Sequence, residues 1–233
     1  MVEHEGVTVS WLGYATLRID DGETVVYVDP GRYGVLDGYD GGDGDVVCVS
    51  HGHHYDSAAI EQVAGDGATL VYFEGINTHH IDRDVARPAS LSLSTRTVDA
   101  EADIAVGDAI IRTTAAYNDP DGPHVRPAGE PYHPKGRGCG FHITLGGVSV
   151  YWPGDTDVLE GHEHLDVDVF CPPIGGRYTM DRHEAADLAV ALAPEIVLPV
   201  HYDTFDEIEA DAAAFADELE SRGVDVVIEP PTW

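Results

Sequence analysis

The chain has 233 residues, 43 acidic against 12 basic side chains, and a formal charge of −31 at neutral pH. That charge repels DNA, RNA and anionic lipid, so neither nucleic acid nor membrane is an expected partner, while 43% hydrophobic content excludes a disordered acidic chain. The acid runs along the whole sequence rather than collecting in a tail, a pattern that fits the high-salt cytoplasm of a halophile, where screening suppresses self-repulsion.

No basic segment followed by an apolar run opens the sequence, and no stretch of about 18 apolar residues occurs. A cytoplasmic protein folded as one domain over residues 1–233 is expected, and a homo-oligomer stays open. Cys48, Cys139 and Cys171 are too few and scattered for a disulfide framework and read as buried thiols.

Val7 to Ile19 alternates partly around Gly13, which predicts two strands or one bent strand at a sheet edge. Thr24 to Val28 is a β-branched strand ending at Asp29-Pro30-Gly31, where Asp29 is placed to orient metal-bound groups from behind. Gly31 to Gly44 is a glycine- and aspartate-rich loop. The apolar run Val46 to Val49 predicts a buried strand, and it breaks into His51, His53, His54 and Asp56. Imidazole and carboxylate are metal ligands, so this cluster at a strand end is the centre of the sequence. Asp56 or Ser57 caps a predicted helix running to about Ala64. The strand Thr69 to Phe73 completes a strand–loop–helix–strand unit, as in sheets covered by helices. His79 and His80 fall in a solvated loop, and Thr97 to Ile111 offers two weak strands around Gly107.

Thr113 to Gly140 is the longest irregular stretch, of a length that is often functional. It carries Tyr117, Asn118, His124, His133 and the chain's sole lysine, Lys135. Lys135 there is placed to hold an anionic group. Phe141 to Leu145 and Val148 to Trp152 form a hairpin across Gly146-Gly147, ending at Asp155. A strand over Val167 to Cys171 follows, then a helix capped by Asp181 and running through Ala193. A strand over Glu195 to Val200 ends at His201. A helix over Asp206 to Arg222, closed by Gly223, and a last strand over Val224 to Ile228 finish the chain.

Four strand ends thus present Asp29, His51 with His53, Asp155 and His201, the positions where open α/β sheets place ligands. Histidines sharing a carboxylate suit one or two divalent ions, and such an ion lowers the pKa of water towards about 7. No G-x-S-x-G elbow, Walker A loop or dinucleotide fingerprint is present. Metal-assisted hydrolysis is therefore the leading chemistry.

The motifs W-L-G-Y-A-T from Trp11, V-D-P from Val28, V-S-H-G-H-H-Y-D from Val49, G-D-T-D from Gly154 and P-V-H-Y-D-T-F from Pro199 resemble the metallo-β-lactamase superfamily. A-Y-N at Ala116 to Asn118 and H-P-K-G at His133 to Gly136 are most similar to its ascorbate-6-phosphate-lactonase-like branch of metal-dependent hydrolases. The resemblance implies an α/β fold, an αββα sandwich of two mixed sheets with helices on the outer faces. It carries His51, His53, Asp155 and His201 over as metal ligands. The family pattern H-x-H-x-D-H is altered here: Asp56 takes the aspartate role, Ser57 stands for the final histidine, and His54 substitutes. Tyr117 and Asn118 stand where the third histidine is expected, and His133, ahead of His124, fills in from the loop. Tyr14 stands where many relatives of the branch have histidine. The implied cofactor is zinc, one or two ions per chain, with manganese or iron as other fits. The implied partner is a small ester, lactone or phosphorylated substrate, anionic in character, with Asp56, Lys135 and Asn118 as catalytic residues. The competing reading is a non-catalytic or mononuclear metal- or ligand-binding member with a degenerate site.

Overall fold

The computed structural model describes residues 1–229. Two mixed sheets follow the chain with little rearrangement. The first holds β1 (Val2–His4), β2 (Val7–Gly13), β3 (Thr16–Asp20), β4 (Val25–Val28), β5 (Gly44–Val49), β6 (Ala64–Phe73) and β7 (Ser94–Val98) in that order. Pairing is antiparallel from β1 to β4 and parallel from β4 to β7. The second holds β8 (Asp103–Val106), β9 (Ala109–Ala115), β10 (Cys139–Leu145), β11 (Val148–Trp152), β12 (Val169–Phe170) and β13 (Ile196–Val197). It is antiparallel up to β11 and parallel beyond it.

Side-chain alternation explains the layering. Along β5, Val46 and Cys48 enter the cluster between the sheets, and Val47 and Val49 enter a second cluster with Ile60 and Val63 of α1 (Ser57–Val63). A strand buried on both faces reads as an unbroken apolar run, which is why the sequence shows no polar alternation there. Facing residues come from β9, β10 and β11, among them Ile111, Phe141, Ile143, Val150 and Trp152. On the far side of the second sheet, α2 (Arg182–Leu192) and α3 (Ala212–Ser221) bury Leu188, Ala189, Phe215 and Leu219. Helices therefore cover the outer face of each sheet, the αββα sandwich expected. The three cysteines are buried free thiols, their pKa values pushed up by burial.

Several expected boundaries move. The hairpin of β2 and β3 is not an edge, because β1 pairs outside it. The two strands expected around Gly107 over Thr97 to Ile111 are β8 and β9, but Thr97 itself belongs to β7 in the first sheet. The strands expected over Val167–Cys171 and Glu195–Val200 shorten to β12 and β13. The helix expected over Asp206–Arg222 divides into a short 3₁₀ turn, Asp206–Ile208, and α3. Two aspartates compete with a continuous helix there. Asp203 accepts from the Ala210 amide at 2.9 Å, and Asp211 accepts from the Ala214 amide at 2.9 Å as the cap of α3. Val224–Ile228 is not a strand, since only Val226 makes a bridge, to Val197. Among the described residues no helix is long and apolar enough to cross a membrane.

Candidate metal centre

The two sheets bring one end of their parallel strands to a common seam. Asp29 follows β4, His51 to His54 follow β5, Asp155 follows β11 and His201 lies beyond β13. The turn that delivers Asp155 needs Gly154: at φ +79 it brings the chain so close to β10 that an added Cβ would lie 2.7 Å from the Cys139 carbonyl oxygen.

Asp155 is the hub. Its Oδ2 lies 3.5 Å from His51 Nε2 and 3.2 Å from His133 Nε2, and its Oδ1 lies 3.5 Å from His54 Nε2 and 3.4 Å from His201 Nε2. His53 Nδ1 is 3.4 Å from His133 Nε2. Two groups of ligand atoms converge, His51 with His53 and His133, and His51 with His54 and Asp155. Two nitrogens bound tetrahedrally to one zinc sit about 3.4 Å apart, so these separations suit donors around an ion. Among the described residues His51 Nε2, His54 Nε2, Asp155 Oδ1 and His201 Nε2 are buried with no hydrogen-bond partner. Unpaired buried polar atoms are costly, and four of them aimed at one point suit a cation. The donor set therefore fits one or two divalent ions.

Ring orientation is fixed from behind. Asp29, itself buried, accepts from the Ser50 amide at 2.7 Å, the Ser50 hydroxyl at 2.6 Å and Trp152 Nε1 at 2.9 Å. His54 Nδ1 lies 2.9 Å from Asp29 Oδ2, and His51 Nδ1 lies 3.0 Å from the Ser50 hydroxyl. Each imidazole is thus held by one nitrogen while the other faces Asp155. His133 Nδ1 donates to the Tyr178 carbonyl at 3.1 Å and serves the same purpose.

Burial keeps the rings neutral. It drives His51 well below the ordinary histidine value, and lowers His53 and His201 to about 4. His54 is the exception: burial opposes its charge, but Asp155 and Asp29 outweigh it and raise its pKa. Burial would raise Asp155, yet the surrounding histidines, His201 first, hold it well below the carboxylate range. Neutral rings and an ionised carboxylate are the forms that bind metal.

The structure brings together His51, His53, His54, His133, Asp155 and His201, six of the seven expected ligands. The seventh, Asp56, caps α1, its carboxylate accepting from the Ala58 and Ala59 amides at 3.1 Å each. Capping engages its Oδ1, and Asp56 stands apart from the six converging side chains. Asn118 is not at the mouth either. It is fully buried, donates to Asp157 at 2.8 Å and to the Tyr178 carbonyl at 2.9 Å, and accepts from the His133 amide at 2.7 Å. It positions His133 rather than touching a substrate. Lys135 is exposed, stands 5.1 Å over the Tyr117 ring, and lines a cavity separate from the histidines. His124 pairs with Asp157 at 2.7 Å and is no ligand.

Apart from Tyr14, sequence reasoning passed over the residues that shape the mouth. Tyr14, Arg32, Tyr33, Tyr178 and Phe205 line a chamber of about 300 Å³ that reaches Asp155 and His201. The Tyr14 ring lies 4.5 Å from His201 and 5.0 Å from His54, centroid to centroid. Tyr14, Asp29, Arg32, Tyr33 and His201 all have positive φ, a strained backbone that tends to persist at functional sites. A non-glycine residue with positive φ leaves no mark in a single sequence, although W-L-G-Y-A-T and V-D-P-G-R-Y mark the two turns involved.

Known proteins resemble this chain in sequence and in fold. Residues 8–201 match the model of the beta-lactamase superfamily domain. A UPF0173 metal-dependent hydrolase of Methanopyrus kandleri is 31% identical, over 95% of this chain and 96% of its own length. A second, from Heliobacterium modesticaldum, is 30% identical over 89% of this chain and 87% of its own. The metallo hydrolase Igni18 of Ignicoccus hospitalis superposes with a TM-score of 0.69 over 97% of this chain and 95% of its own at 22% identity, a likeness of fold.

Proposed function

The chain belongs to the beta-lactamase superfamily domain family, and from that premise we infer that this metal-dependent hydrolase cleaves a small ester, lactone or phosphorylated compound. The observation that carries the reading is Asp155, whose two carboxylate oxygens face two different imidazole pairs, His51 with His133 and His54 with His201. One oxygen per pair is the arrangement of a bridging carboxylate, and it favours two ions over one. His51, His53 and His133 would hold one, His54 and His201 the other. The nitrogen-rich set favours zinc, with manganese or iron as alternatives. A divalent ion there supplies Lewis acidity and lowers the pKa of water towards about 7.

The chain's own residues do the rest. Asp29 and Ser50 keep the His54 and His51 rings aimed at the centre. Tyr14, Tyr33 and Phe205 wall the chamber with aromatic surface that limits water. The buried side chain of Tyr14 has its pKa raised, by burial first and then by Asp155, so it keeps its proton at neutral pH. A protonated hydroxyl at the mouth can donate to an oxygen as that oxygen gains charge.

Elemental analysis and hydrolysis of 4-nitrophenyl acetate test the reading together. About two ions per native chain with turnover, and about one ion with turnover lost in His133→Ala, are expected. Full metal loading with no hydrolysis of any ester, lactone or phosphate offered would replace the reading with a non-catalytic metal-binding role.

A further inference from the structure

A cleft of about 470 Å³ opens beside His51, His53 and His133, and its charge is inverted relative to the molecule. The chain carries 43 acidic and 12 basic residues, yet this lining holds four arginines, Arg32, Arg83, Arg126 and Arg137, against one acid, Asp82. Arg18, Arg112, Arg182 and Arg222 elsewhere pair with the abundant carboxylates, as Arg18 does with Asp20 and Asp43 and Arg222 with Asp187. Among the described residues none of the four in the cleft pairs with a carboxylate.

Their placement is built. Arg32 donates to the His53 carbonyl at 2.5 Å, and Arg83 donates to the same carbonyl at 3.1 Å and to that of Tyr55 at 3.0 Å. Both guanidiniums are therefore tied to the backbone that carries the histidines. Arg126 lies 5.0 Å over the Tyr132 ring, and Arg126 and Arg137 are exposed, with no hydrogen bond to the protein from either guanidinium among the described residues. Holding like charges together is unfavourable unless an anion joins them, and a planar guanidinium matches phosphate or carboxylate in a bidentate fork. A positive cleft in a strongly negative molecule also focuses anions towards itself.

We propose that Arg32, Arg83, Arg126 and Arg137 form an anion-binding subsite that takes a phosphate or carboxylate group of the substrate and sets its scissile bond beside the histidine cluster. That the ligand is a substrate rests on the hydrolase reading; that the cleft binds an anion does not. Lys135, the cation expected to do this from the sequence, lines the other cavity and takes no part.

Two arms test it. Metal-stripped protein is titrated calorimetrically with inorganic phosphate and with acetate at constant ionic strength. Binding of either is expected, weakened at least about tenfold in Arg126→Gln/Arg137→Gln and unchanged in Lys135→Gln. Tighter phosphate identifies a phosphorylated ligand, and tighter acetate a carboxylate. In the second arm, zinc-loaded protein is given 4-nitrophenyl acetate and 4-nitrophenyl hemisuccinate. The ratio of kcat/KM for the charged over the neutral ester is expected to fall at least about tenfold in the double variant. No binding of either anion, native affinity in the double variant, or an unchanged ratio overturns the subsite. If neither ester is hydrolysed, the calorimetric arm alone decides the subsite, and the hydrolase reading falls only if lactones and phosphates are spared as well.

Discussion

At the scale of single residues, Asp29 and Asp157 matter as much as the ligands they support. Asp29 fixes His54 directly and His51 through Ser50. Asp29→Asn is expected to weaken metal binding by about 10- to 100-fold, read by competition with a chelator, and native affinity would remove its orienting role. Asp157 organises the loop that delivers His133, through Asn118 and His124. Asn118→Ala strips the His133 amide of its acceptor and is expected to cost about 1–3 kcal/mol in denaturant unfolding, with a lowered metal content. The His124–Asp157 pair also carries a pH signature. Burial works against the charged ring, but the bond to Asp157 and its charge raise His124 above 6.5. Burial likewise opposes the Asp157 anion, yet His124 and Asn118 hold its pKa below 3.8. Above about pH 6.5 the folded state keeps a proton that the unfolded state has lost, so stability falls as pH rises through the folded His124 value. On the acid side, the Asp157 contribution is present above 3.8 and lost as pH falls through its depressed value. Denaturation midpoints measured across pH are expected to decline on the alkaline side, with Glu184 at 3.9 Å adding to the effect, and His124→Gln is expected to reduce that decline, leaving the share that the raised His54 contributes. Five of the six converging side chains were legible because strong donors stood at strand ends, and His133 because it stood in the long loop. Asp56, Asn118 and Lys135 lie outside that cluster, because residue types that suit catalysis serve equally well to cap a helix, brace a loop or face solvent.

At the scale of elements, α1 shows how a cap and a ligand differ. Asp56 sits in extended backbone one residue before the helix and satisfies two of its free amides. Asp56→Ala is expected to cost about 1 kcal/mol of stability and to leave metal content at the native level. A loss of metal would restore the ligand role that the geometry denies it. The buried strands β4, β5, β10 and β11 and the capped helices α1 and α2 were readable, since apolar runs and side-chain caps are local signals. β1 was not, because three residues before a Glu5-Gly6 turn carry no period. The break before α3 was hidden for another reason. Asp203 and Asp211 act through backbone bonds that helical spacing does not reveal.

At the scale of the whole molecule, the charge of −31 is spread over a surface with few compensating bases. Raising KCl from about 0.1 to about 1 M shortens the screening length from about 10 to about 3 Å, and the thermal midpoint is expected to rise with it. A flat or falling profile by circular dichroism would count against adaptation to high salt. The layer order was legible as the resemblance implied it, but the sign of the cleft was not, because its arginines are scattered from Arg32 to Arg137 and only folding gathers them. The same dispersal holds for the groups around Asp155, which span His51 to His201 and come from both sheets. During synthesis the first three histidines leave the ribosome long before the carboxylate they face, and the set closes only when His201 has been made. Capture of an ion by the full set therefore waits for His201, and an ion once captured would act as a rivet across the seam, so that its removal would loosen the two sheets from each other before either sheet comes apart.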